Sequence, residues 1–312
     1  MKLSLIVPCY NEEGNVEKFL DLVNEVFEGK VADFEFVFVN DGSRDNTRQI
    51  LKNLYYNKND KKNIQVLSFS RNFGKEAAIY AGLSHAKGDV VCLIDADLQQ
   101  RPEVVLEMLE VMNSDEDIDC VTAYQEKRKE GKVISAVKSM FYEIINKISD
   151  VPFVNGASDF RLLKRNVVNA LLQMTEYHRF SKGMFSYVGF NTKYIPYEVA
   201  ERESGESKWS IRKLIKYALE GIFAFSTMPL KISMFIGIAF VMLSLGLFVF
   251  SFFTAIDITL VTLRLMSAIF FVGGVILAVL GIIGEYLSKM YVQGKDRPVY
   301  ILKEHLDDDK NN

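Results

Sequence analysis

A chain of 312 residues has room for one large domain, or for one domain with an anchor. Hydrophobic residues make up 49% of it and charged residues 25%, and the net charge is -3. That balance excludes a disordered chain, and it excludes a nucleic-acid binder with a global basic field. The average hides a division, because most of the unbroken apolar sequence lies in the last hundred residues. Cys9, Cys92 and Cys120 stand far apart, without metal spacing, in or beside apolar runs. An odd, scattered count reads as buried reduced thiols rather than a disulfide framework. The apolar run at the N-terminus is too short for a signal peptide, so the first half is expected to stay where it is made.

Short runs rich in Val, Ile and Phe predict strands over residues 3–8, 34–40, 64–68, 90–94 and 120–123. Between them, residues 16–28, 47–56, 75–86 and 103–113 carry apolar side chains at three- and four-residue spacing and predict helices. Pro102 suits the first position of the last of these. Alternating strands and helices imply an α/β fold with a mostly parallel sheet and ligands at the carboxyl ends of its strands. The polar clusters fall at those ends, after each of the first four strands.

Residues 126–165 are charged and then helical in pattern, and predict a mobile loop leading toward the ligand-binding edge of the sheet. Over residues 211–225, Ile211, Leu214, Ile215, Ala218 and Leu219 share one face, while Arg212, Lys213 and Lys216 share the other. Just before a membrane span this pattern reads as an interfacial helix; the plainer alternative is a core-facing helix. Residues 232–256 and 265–284 are uncharged runs, each long enough to cross a ~30 Å hydrocarbon core. Residues 257–264 between them predict a tight hairpin loop. Basic residues flank the pair (Lys208, Arg212, Lys213, Lys216 and Lys231 before; Lys289, Lys295 and Arg297 after), whereas the loop holds only Arg264. The positive-inside rule then puts both termini and the α/β domain in the cytoplasm. A buried hairpin in a soluble protein is the alternative. The expected organisation is a catalytic domain over 1–209, an interfacial region over 210–230, two spans within 231–288, and a tail over 289–312 whose acidic end is solvated.

Asp95 and Asp97 follow the fourth strand. Side chains two apart lie on one face of an extended chain, so these carboxylates converge on one hard divalent cation, Mg2+ or Mn2+, bridging a diphosphate. A solvated loop pair is the alternative. Asp41, after the second strand, suits a ribose hydroxyl or a base N–H, although Asn40-Asp41-Gly42 is also an ordinary turn. Pro8, Tyr10, Asn11 and Glu12 close the first strand, with Tyr10 free to stack on a base. Arg71 and Lys75 place two cations, with Gly74 between, where phosphates lie; a solvated charged loop is the alternative.

Taken together, Pro8-x-Tyr10-Asn11-Glu12, Asn40-Asp41-Gly42-Ser43, Arg71-Asn72-Phe73-Gly74-Lys75, Asp95-x-Asp97-x-Gln99, Ser158-Asp159-Phe160-Arg161-Leu162 and Gly205-Glu206-Ser207-Lys208-Trp209 resemble the family-2 inverting glycosyltransferases. More narrowly the chain resembles the polyisoprenyl-phosphate glycosyltransferases. Gly284-Glu285-Tyr286 and Arg297-Pro298-x-Tyr300 are similar to their bacterial branch. The resemblance implies a GT-A fold, a UDP-sugar donor, a polyprenyl phosphate acceptor such as undecaprenyl phosphate, contact with membrane lipid, and residence in the bacterial inner membrane. Glucose is the first expectation for the sugar and N-acetylglucosamine the second. Carried over by position, Asp41 contacts the nucleoside and Asp95 and Asp97 hold metal and donor, with Gln99 on the donor side. Asp97 and Asp159 are the catalytic carboxylates, and Arg128, Arg202 and Lys208 face the acceptor phosphate. Gln125 and Val199 stand where such proteins often have Arg.

A phosphate monoester is already largely anionic at neutral pH. Asp159 is therefore expected to position donor or acceptor rather than to remove a proton. A processive polysaccharide synthase would need more spans and a Gln-x-x-Arg-Trp motif that this chain lacks. An inactive membrane scaffold or nucleotide-sugar sensor is the remaining alternative. Association of copies through the spans is open, since no motif demands it.

Overall fold

The computed structural model describes residues 1–57, 63–125, 157–198, 228–251 and 258–307, together with residues 146, 151 and 226. In chain order the first half runs β1 (Leu3–Cys9), α1 (Val16–Phe27), β2 (Phe34–Asn40), α2 (Thr47–Tyr56), β3 (Asn63–Phe69), α3 (Lys75–His85), β4 (Val90–Leu93) and α4 (Glu103–Ser114). Then come β5 (Cys120–Gln125), β6 (Ala157–Lys164), α5 (Arg165–Gln173), α6 (Ser181–Tyr187) and β7 (Thr192–Tyr197). The chain closes with α7 (Met228–Ser251), α8 (Ile258–Gln293) and β8 (Leu302–Leu306).

The eight strands among the described residues form one sheet in the order β7-β5-β6-β4-β1-β2-β3-β8. β1 pairs in parallel with β2 and β4, and β2 with β3, as βαβ units require. These strands read as continuous apolar runs because both faces are covered. On one face Leu5, Val7, Phe36 and Phe38 meet Phe19 and Val23 of α1 and Met108 of α4. On the other, Ile6, Val37 and Val39 meet Ala77, Ala78 and Ala81 of α3 and Val167 of α5. The small residues of α3 bring it close to the sheet; a Cβ at Gly82 would collide with the Ile6 side chain.

Every strand and helix expected before residue 125 is present, with ends shifted by a residue or two. Three expectations further on need correction. The helical pattern assigned through residue 165 ends in a strand: β6 runs antiparallel between β4 and β5. Its alternating Phe160, Leu162 and buried neighbours satisfy a two-sided sheet, and burial decides over a period that short. The expected loop over 257–264 is helical from Ile258, where α8 begins. The acidic tail is not solvated throughout, since β8 pairs antiparallel with β3. Glu304 is drawn in by Arg48 and Lys52 (2.9 and 2.6 Å), and the buried Asp307 by Lys87 (3.0 Å).

α7 and α8 form an antiparallel pair. Phe240 meets Phe271 with ring centroids 4.9 Å apart, and the Tyr286 hydroxyl donates to the Ser226 carbonyl at 2.6 Å. α8 has 36 residues, or about 54 Å at ~1.5 Å per residue. Within it Phe271–Gln293 is long and apolar enough to cross a membrane, and none of it is buried inside the protein. Its end is tied to the head: Gln293 Oε1 accepts the Tyr177 N–H at 2.8 Å. The predicted interfacial stretch over 211–225 lies outside the described residues.

Candidate active site

The carboxyl ends of β1, β2, β3 and β4 open onto one cleft of about 310 Å³. Pro8, Tyr10 and Glu12, Asp41, Lys75, and Asp95 with Asp97 line it from those four ends. Parallel strands with right-handed crossovers put all four loops on one edge. The sequence placed these residues together, and the fold brings them together.

Within the cleft the side chains do different work. Asn11 adopts φ 56, a left-handed conformation that Asn tolerates, and its Oδ1 accepts the Arg44 N–H at 2.9 Å. The backbone N–H groups of Asn11 and Glu12 donate to Ser43 Oγ and Thr47 Oγ1. These two residues thus stitch the first loop to the second. Tyr10 is exposed at the cleft, at 38%.

Asp41 is buried, and its carboxylate accepts the N–H groups of Phe73 (2.6 Å) and Gly74 (2.9 Å) and the Asn72 amide (3.0 Å). Burial raises its pKa, opposed by those N–H bonds and by Arg71. Asp41 is therefore the clamp that shapes residues 71–75. Gly42 sits at φ +62, and a Cβ there would run into the Arg71–Asn72 peptide. Only glycine allows that approach. Arg71 is held over the Phe73 ring at 4.0 Å.

At the floor Lys75 Nζ lies 2.6 Å from Asp95 Oδ1 and 3.5 Å from Asp159 Oδ2. The β4–β6 register explains this. Leu93 pairs with Arg161, so two steps further the antiparallel register sets Asp159 opposite Asp95. Burial opposes the Lys75 charge, yet Asp95 and Asp159 together hold its pKa above the usual lysine range. Burial likewise opposes the Asp159 charge, but Lys75, Lys182 and Arg161 pull its pKa below the usual carboxylate range. Asp159 Oδ1 is buried without a hydrogen-bond partner.

Gln100 fixes the turn that carries Asp95. Its Oε1 accepts the Asp95 N–H at 2.8 Å, and its Nε2 donates to Asp95 Oδ2 at 3.1 Å. Gln99 is half-buried, and it is its backbone N–H that reaches Asp97 Oδ1, at 3.2 Å. Sequence reasoning also passed over Glu76, whose carboxylate accepts the N–H and hydroxyl of Ser181. Burial and then Asp159 push its pKa up to about 7. Glu76 sits beside Lys75 on α3, so its neighbour was a usable signal. Lys182 had none, since only the packing of α6 on β6 brings it near. Arg128, Arg202 and Lys208 lie outside the described residues.

A divalent cation fits this donor set. Among the described residues no three His, Cys, Asp or Glu side chains gather tightly enough to hold a metal alone. Asp95 and Asp97 supply two carboxylates, and Mg2+ characteristically completes its shell with water and substrate phosphates. The unpartnered Asp159 Oδ1 adds an acceptor within the same charged cluster.

Residues 4–172 match the family model described as Glycosyl transferase family 2, and residues 228–290 match the GtrB C-terminal hairpin. The protein named "Putative glycosyltransferase CsbB" of Bacillus subtilis (strain 168) is 40% identical over 306 residues, covering 97% of this chain and 91% of that one. The bactoprenol glucosyl transferase of Shigella phage SfV is 39% identical over 310 residues, covering 97% and 98%. Among solved structures, a mannosyltransferase from Pyrobaculum calidifontis in complex with GDP-Man and Mn2+ superposes with a TM-score of 0.50 at 20% identity. That likeness covers 71% of this chain and 63% of the other, and it carries the GT-A fold. The hairpin match and the unburied apolar helix together indicate membrane association. With the family model spanning more than half the chain and relatives matching nearly all of it, the protein belongs to glycosyl transferase family 2 and is a glycosyltransferase.

Proposed function

We propose that the protein transfers a sugar, glucose first and N-acetylglucosamine second, from a UDP-sugar to undecaprenyl or another polyprenyl phosphate, with inversion at the anomeric carbon. One observation carries the reading: Asp95 and Asp159 face each other across Lys75 at the floor of a cleft whose chain continues into two apolar helices. The names of the relatives support the acceptor and the sugar, since several are bactoprenol glucosyl transferases.

In this reading the clamp of Asp41 on residues 71–75 sets Arg71 and Lys75 against the donor's diphosphate. Tyr10, at the mouth, stacks on the base, while Asp41 remains within reach of the nucleoside. A Mg2+ or Mn2+ ion held by Asp95 and Asp97 would act as a Lewis acid on the leaving diphosphate. Lys75 and Arg71 stabilise the charge that develops there as the glycosidic bond breaks. The lipid phosphate oxygen attacks the opposite face. Arg128, Arg202 and Lys208 are proposed to receive its head.

The catalytic unit over 1–209 then stands at the inner leaflet, followed by the interfacial region 210–230, the two spans within 231–288, and a C-terminal segment that returns to the sheet. Basic residues on both flanks of the hairpin support a cytoplasmic placement of both ends. Anchoring turns the encounter with a membrane-bound acceptor into a search in two dimensions.

Incubation with radiolabelled UDP-glucose, Mg2+ and undecaprenyl phosphate is expected to give a labelled, lipid-extractable product. Absence of product with every nucleotide-sugar tried overturns the reading.

Asp159 has a more specific prediction. Its depressed pKa keeps it ionised and paired throughout the working pH range, which makes it a weak base. Asp159→Asn is expected to lower turnover by about 10²-fold, with a pH–rate profile parallel to that of the wild type between pH 6 and 9. Loss of the acidic limb of that profile in Asp159→Asn would show that the residue titrates during turnover.

A further inference from the structure

We propose that Tyr300, on the stretch between α8 and β8, is a positioning residue for the loop of residues 71–75. The inference rests on that loop holding the donor diphosphate, as proposed above. It also gives a purpose to Arg297-Pro298-x-Tyr300, a motif that the cleft itself does not use.

Three layers of contact lead from Tyr300 to the loop. The Tyr300 ring stacks on Phe69, the last residue of β3, with centroids 5.1 Å apart and planes 16° apart. Phe69 meets Phe73 edge-on at 5.7 Å, and Phe73 carries the Arg71 guanidinium on its face at 4.0 Å. The Phe73 N–H is also one of the donors that Asp41 grips. A shift of the Tyr300 ring is therefore delivered to both sides of the loop, to the cation and to the clamp. Packed rings pass on such a shift because interiors have little free volume to absorb it.

The backbone supports the same assignment. β8 follows β3 through Ser68 opposite Glu304, and then the register slips so that Phe69 faces Leu302. A bulge of this kind re-aims a strand end, often beside a site. One step on, the Ser70 N–H donates to the Ile301 carbonyl at 3.0 Å, the last tie before Arg71. Glu304 and Asp307 pin the far end of the segment to Arg48, Lys52 and Lys87. The Tyr300 ring is in turn wedged edge-on against Tyr80 and His85 of α3, the helix that starts at Lys75. The segment is thus fixed on the sheet, on α3 and at the loop's root.

The test compares full-length Tyr300→Ala and Tyr300→Phe with the wild type in detergent, by amide hydrogen exchange and steady-state kinetics. Tyr300→Ala is expected to lose about tenfold in protection at the Phe73 and Gly74 amides, with those of Leu5–Val7 in β1 unchanged. Its KM for UDP-sugar is expected to rise roughly three- to tenfold, with the KM for polyprenyl phosphate unchanged. Tyr300→Phe is expected to restore both. Unchanged exchange at Phe73 and Gly74 overturns the inference, as does an equal loss of protection across β1, or a Phe variant as impaired as Ala. The two failures are separable: a wild type that binds no UDP-sugar overturns the proposed function, whereas the exchange data are read without substrate.

Discussion

Lys75→Met is expected to bind Mn2+ at least about tenfold more tightly than the wild type when nucleotide is absent, while turning over about 10²- to 10³-fold more slowly. The two effects oppose each other for one reason. In the free protein the Lys75 ammonium lies 2.6 Å from Asp95 Oδ1 and 2.8 Å from Oδ2, where it already neutralises a carboxylate proposed to hold the metal. A divalent ion has to share or displace that ammonium, and two cations on one carboxylate repel. Partial exposure of both side chains screens the effect, so a modest factor is expected rather than the full Coulomb energy. Once a diphosphate arrives, Lys75 has a second anion to move to, and metal and donor reinforce each other. Methionine keeps the stem and deletes the charge. Mn2+ titration followed by the spectrum of the free ion, with and without UDP, measures both affinities. An unchanged or weaker Mn2+ affinity in the variant would end the idea that Lys75 holds the metal's place.

Asp95→Asn is expected to reduce turnover by about 10³-fold or more and to abolish the rise in Mn2+ affinity caused by UDP. The substitution is nearly isosteric, and the Gln100 Oε1 bond to the backbone N–H of residue 95 survives it. The loss is therefore chemical rather than structural. Asp97→Asn provides the comparison, because it removes a proposed metal ligand while leaving the Lys75–Asp95 pair intact. Both variants should fail in turnover, but only Asp95→Asn should loosen Lys75. Activity within tenfold of the wild type in Asp95→Asn would remove the metal reading. Far-ultraviolet circular dichroism and the thermal midpoint check that the fold is retained.

The parallel half of the sheet was legible because its strands are buried on both faces and its helices are amphipathic, so period and burial agree. The convergence of Asp41, Lys75, Asp95 and Asp97 followed from that topology. Asp159 was legible only through the family resemblance, since nothing local announces β6; its place opposite Asp95 is set by an antiparallel register formed at long range. Asp41 shows the reverse case. The sequence pointed to a ligand contact, and the fold adds a grip on Phe73 and Gly74. Gln99 and Gln100 are adjacent and chemically alike, and a positive φ at Leu98 turns the chain so that Gln100 is the one to reach Asp95. β8 was missed because Lys303, Glu304 and His305 look like a solvated tail. The partners of Glu304, Arg48 and Lys52, are some 250 residues away and leave no local trace.

The position of β8 has a consequence for biogenesis. It follows both apolar helices in the chain, so the ribosome delivers it after them. Until then β3 has a bare rim of N–H and C=O groups, the kind of rim that recruits foreign strands. Closure of the sheet thus waits on synthesis of the two apolar helices, and a nascent polypeptide stalled before residue 302 would remain adhesive and open to surveillance by chaperones.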